Sequence, residues 1–187
     1  MDREINEDIA IFFLSDSREY LKRYEHLKEF QTEISNRSKL LIDIVFSFEC
    51  SLKALIFIES LTNESETYKK VRKCGHDLSK LINEVDTEYI SGIKSKIDDN
   101  IEHFSISSRY TLEANIYFRN SVGALDDLYY STIADFIWLD DLYLKAKDLL
   151  SYVDSKIDRS LKSFDFGEID LERELEKTKR LKQLGGK

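Results

Sequence analysis

The chain has 187 residues, 42% of them hydrophobic and 34% charged, enough for one domain with a real core and no need of disulfide or metal staples. Its formal net charge of -8 argues against strong autonomous binding to nucleic acid, which needs a positive surface to neutralise phosphates. Proline is absent and only 6 glycines occur, which argues against a turn-rich β architecture and predicts an all-α fold.

In chain order, Ile5, Ile9 and Phe12 open a first helical stripe, and Tyr20, Tyr24, Leu27 and Ile34 carry it onward. Ser15-Asp16-Ser17 either caps a fresh helix there or bends this one. The opening Met1-Asp2-Arg3-Glu4 lacks the basic run of a secretion signal. A second helix is expected from Glu33 to Ser60, with Ile34, Leu41, Val45, Phe48, Leu52 and Leu55 on one face. Leu40, Ile44, Phe46, Ile56 and Phe57 extend that face around much of the circumference. Such a helix is either central in a bundle or half of a dimer interface. Asp43, Glu49 and Lys53 interrupt it, so it reads as a core helix and not a membrane span.

Thr62 to Thr67 reads as a polar loop. Gly75 suits a helix stop with positive φ, and Asp77 suits the cap of a short helix that buries Leu78, Leu81, Ile82 and Val85. Asp86 or Thr87 then caps a helix running to about Phe104, followed by a polar break at Ser105 to Ser108. The strongest periodicity runs through Leu125, Leu128, Thr132, Phe136, Leu139, Tyr143, Ala146 and Leu150, predicting one helix over Leu125–Leu150. Gly167 marks a break, and Leu171 to Leu184 is a charged helix with a thin stripe at Leu171, Leu175, Leu181 and Leu184, suited to docking on a partner. The predicted division is a bundle of five or more helices over 1–165 and a charged C-terminal helix and tail over 166–187.

Few residue patterns carry chemistry. Cys50 and Cys74 have no metal or redox spacing and read as buried thiols in a reducing cytoplasm. No Glu-x-x-His pair supports a di-metal bundle site, the three histidines lack zinc-ligand spacing, and no glycine-rich phosphate loop occurs. No metal and no cofactor is therefore expected. The doublets Asp98-Asp99, Asp126-Asp127 and Asp140-Asp141 read as solvated stripes. Glu49 and Lys53, four apart on a helix, predict an intrahelical ion pair. His76 reads as a loop histidine bonded to nearby backbone, with catalysis the sharper alternative.

Four strings in order, Phe48-Glu49-Cys50-Ser51-Leu52-Lys53-Ala54-Leu55, Gly75-His76-Asp77-Leu78-Ser79-Lys80-Leu81, Arg109-Tyr110 and Arg119-Asn120, resemble the HEPN superfamily of small helical domains over residues 35–150. That resemblance implies a prokaryotic toxin–antitoxin or antiviral setting and a dimer. It also implies an RNA-cleaving motif in which an arginine holds the scissile phosphate and a histidine, with four to six residues between them, moves protons. After Arg119-Asn120 the histidine positions hold Ala124, Leu125 and Asp126. The implied function is thus a degenerate module that works by binding, with Arg119, Asn120, Arg109 and Tyr110 as a phosphate or partner groove and His76 and Asp77 as loop and cap. Arg119 either contacts a phosphate or pairs with an acid such as Asp126. The alternatives are an active ribonuclease with a rearranged site, drawing on Arg109, His103, Arg119 or His76, and a scaffold without nucleic-acid contact. The expected partners are a second copy or another protein, with RNA weakly bound by the chain alone; no membrane is expected, and the location is cytoplasmic.

Overall fold

The computed structural model describes residues 2–30, 32, 34–85, 132–157 and 171–185. They form six helices and no strand: α1 Asp2–Lys28, α2 Ile34–Glu59, α3 Glu64–Cys74, α4 Leu78–Asn83, α5 Phe136–Ser155 and α6 Leu171–Gly185. The fold is an all-α bundle. Among the described residues, no helix is long and apolar enough to cross a membrane.

α1 and α2 form an antiparallel hairpin, traced by contacts from Asn6–Thr62 through Phe13–Phe57 and Tyr20–Phe46 to Arg23–Asp43. At its centre Ser17 Oγ lies 2.8 Å from Ser47 Oγ and 2.9 Å from Ser51 Oγ, and also donates to the Ser47 carbonyl at 3.1 Å. Three small hydroxyl side chains let the helices approach while satisfying one another in a dry seam. Ser17 thus caps no fresh helix; α1 continues unbroken through it.

The sequence pattern left α2 a choice between bundle centre and dimer interface. Leu40, Ile44, Phe48, Leu52 and Leu55 are buried, and so are Leu41, Ile42, Val45, Ala54, Ile56 and Phe57 on the remaining sides. One chain therefore covers most of α2 and places it centrally in the bundle, while Phe46 and Lys53 stay half-buried and Lys39 is exposed. α5 packs against α2, as expected, and runs antiparallel to α1: Tyr24 stacks on Tyr143 with centroids 4.7 Å apart, and Arg18 pairs with Asp154.

Two boundaries differ from expectation. The polar run Thr62 to Thr67 is largely helical, because Asn63 Oδ1 accepts the Glu66 N–H at 3.0 Å and caps α3. Acidic Glu64 and Glu66 at its start and basic Arg72 and Lys73 at its end suit the helix dipole. The Leu125–Leu150 helix is not continuous: Thr132 to Asp135 form a turn, and Asp135 caps α5 by accepting the Ile137 N–H at 2.9 Å. The periodicity runs across this turn because Thr132 and Ile133 are themselves buried.

Candidate functional site

The two described strings of the motif set meet. α3 ends on Gly75, whose φ of 61° turns the chain sharply, its N–H bonded to the Arg72 carbonyl. Asp77 then caps α4 by accepting the Lys80 N–H at 3.0 Å, as its position predicts. That turn swings His76 onto α2, where Nδ1 stands 3.0 Å from each Glu49 carboxylate oxygen. The Lys53 Nζ reaches Glu49 Oε1 at 2.5 Å, the intrahelical pair expected from the spacing.

Glu49 is only 5% exposed, and a buried carboxylate is costly unless charges and donors surround it. Lys53 and His76 supply them. A carboxylate only accepts, so the proton facing it sits on Nδ1 and the uncharged ring offers Nε2 as an acceptor. The His76 side chain is 54% exposed. His76 is thus bonded to a side chain on another helix and not to neighbouring backbone.

Beside this pair a line of groups crosses the hairpin. The Phe46 ring lies 6.3 Å from the imidazole and 5.2 Å from Tyr20, and the Arg23 guanidinium is 5.5 Å above Tyr20. Arg23 also stands 3.0 Å from the fully buried Asp43. Burial, opposed by Arg23, pushes Asp43 up to about 6. Burial and the Glu49 charge push the neighbouring Cys50 thiol up to about 12, so it stays protonated near neutral pH and is no nucleophile. Burial likewise raises Cys74, and both cysteines are free. Asp140 is not a solvated stripe residue, since it binds Tyr24 at 2.7 Å and Lys28 at 2.6 Å; these bonds outweigh its burial and hold it below the usual carboxylate value.

Of the expected site residues, His76 and Asp77 are placed as above. Arg109, Tyr110, Arg119 and Asn120 lie outside the described residues, as do His103, Ala124, Leu125 and Asp126. Among the described residues, no three His, Cys, Asp or Glu side chains group as metal ligands. Sequence reasoning missed the Glu49–His76 contact, which spacing within one helix cannot reveal. It missed the buried Asp43 as well, although a lone acid in an otherwise apolar run was its visible signal. No family model, curated protein or solved structure matches this chain.

Proposed function

We propose that the chain is a HEPN-like module of a prokaryotic toxin–antitoxin or antiviral system, catalytically degenerate and working by binding a protein partner. The observation that carries this reading is the Glu49–His76 bond, which joins the two described strings of the resemblance in one part-buried polar contact. The absence of histidine at 124, 125 and 126 supports degeneracy, and the net charge of -8 favours a protein over free RNA. Arg109, Tyr110, Arg119 and Asn120 form the groove in this reading, arginine holding a carboxylate or phosphate and tyrosine stacking on a side chain or base.

A metal-free RNA-cleavage assay tests it. The unaltered protein is expected to leave RNA intact, and Ala124→His, Leu125→His or Asp126→His to introduce cleavage that Arg119→Ala abolishes. Cleavage by the unaltered protein that is lost on Arg119→Ala overturns degeneracy. One observation favours a rearranged ribonuclease instead: a half-exposed histidine held through Nδ1 by a buried carboxylate has the arrangement of a general base. In that reading His76→Ala abolishes cleavage as well.

A further inference from the structure

α6 is held by complementary charges in a slot between the first turns of α1 and α3. Lys177 Nζ lies 2.6 Å from Glu4 and 3.2 Å from Asp8 of α1. Arg180 binds Glu64 of α3 with two nitrogens, Nε donating at 2.6 Å and Nη2 to the second oxygen. Leu181 and Leu184 pack on the core at the same side. Positions 177, 180, 181 and 184 are one stripe of a helix, so the contact reads as a single motif of two cations followed by two leucines.

These ion pairs are unusually dry: the side chains of Lys177, Arg180 and Glu64 are 13%, 16% and 8% exposed. Burial alone would lower the Lys177 ammonium, but bonds to Glu4 and Asp8 outweigh it and hold it above the ordinary lysine value. The match is therefore specific, since a helix without those cations would leave Glu64 buried and uncompensated. Yet attachment is narrow. The other face of α6 is exposed, Leu175 included, and among the described residues the helix is held mainly by the ends of these side chains. Strong charge matching over a small footprint makes a contact that is selective in its occupant.

We propose that the slot lined by Glu4, Asp8 and Glu64 accepts α6 from a second copy of this chain, so that two copies exchange their C-terminal helices and form a symmetric dimer. A second copy is the one molecule certain to carry Lys177, Arg180, Leu181 and Leu184 in register, and reciprocal exchange fills both slots under a two-fold axis. Occupation within one chain prevails when copies are dilute, because the tethered helix has the higher effective concentration, and exchange prevails as copies crowd. This inference does not depend on the HEPN-like reading.

The test uses two full-length variants. Lys177→Glu with Arg180→Glu reverses the helix and leaves the slot acidic; Glu4→Lys with Glu64→Arg reverses the slot and leaves the helix basic. Each alone mismatches its own helix and slot and is expected to sediment as a monomer. Mixed one to one, each slot matches the other chain's helix, and a heterodimer is expected, weakened by added salt. A mixture that stays monomeric while both variants retain native circular dichroism overturns the proposal. Should the slot variant fail to fold, a labelled peptide of residues 171–187 is titrated onto the helix variant. It is expected to bind about tenfold or more tighter than to the unaltered chain, whose own helix competes. Equal or absent binding overturns the proposal.

Discussion

Asp43 sits in α2 at 0% exposure, and among the described residues neither of its oxygens accepts a hydrogen bond. Burial, countered by the largely exposed Arg23, lifts it from 3.8 to about 6. The folded chain thus holds this proton more tightly than the unfolded one, so this carboxyl's contribution falls as pH rises from 3.8 to about 6 and its cost is complete at neutral pH. Asp43→Asn is expected to stabilise the protein by about 1–2 kcal/mol at pH 7 and to change little below about pH 4, in paired urea melts. An equal gain at both pH values would assign the effect to packing. Glu49 is the opposite case, a buried carboxylate with partners. Glu49→Ala strands the nearly buried Lys53 and is expected to cost about 2–3 kcal/mol in thermal melts. His76→Ala, at a half-exposed position, is expected to cost only about 0.5–1 kcal/mol.

The turn between α3 and α4 depends on Gly75, where a Cβ would meet no atom within 4 Å, so any penalty for a side chain there comes from its φ of 61°. Gly75→Ala is expected to cost about 1–2 kcal/mol and to loosen the His76–Glu49 bond, read as faster hydrogen exchange across α4. Much at this scale was legible in sequence. The bounds of α2 fall within one residue of expectation, and the Gly75 stop, the Asp77 cap and the buried side of α4 all follow from local chemistry that acts over a few residues. What sequence hid was non-local or two-edged. Thr132 to Asp135 keep helical spacing in their apolar positions while turning, and Asn63 reads equally as loop and as cap until the backbone is seen. The Glu49–His76 bond spans 27 positions, and no periodicity within a helix reports on it.

For the whole molecule, far-ultraviolet circular dichroism is expected to show helix without appreciable strand. Lys177→Ala with Arg180→Ala is expected to lower the thermal midpoint by a few degrees, because those residues tie α6 to α1 and α3. The core of α1, α2 and α5 does not rest on these pairs, so α2 amides are expected to stay protected in the same variant. The charged C-terminal helix was legible as an element suited to docking, and its seat on α1 and α3 was not, since a leucine stripe shows that a helix docks but not where.

The slot for α6 is also a matter of timing. Glu4, Asp8 and Glu64 are translated more than a hundred residues before Lys177, an interval of about 5–20 s at ordinary elongation rates. Throughout it, the residues that line the receptor exist in the nascent chain while their own occupant has not yet been made. Under the exchange proposed above, this is the interval in which a neighbouring copy's helix meets no competitor from the same chain. On that proposal, crowded translation favours exchange between siblings, whereas a chain refolded alone from denaturant closes on itself.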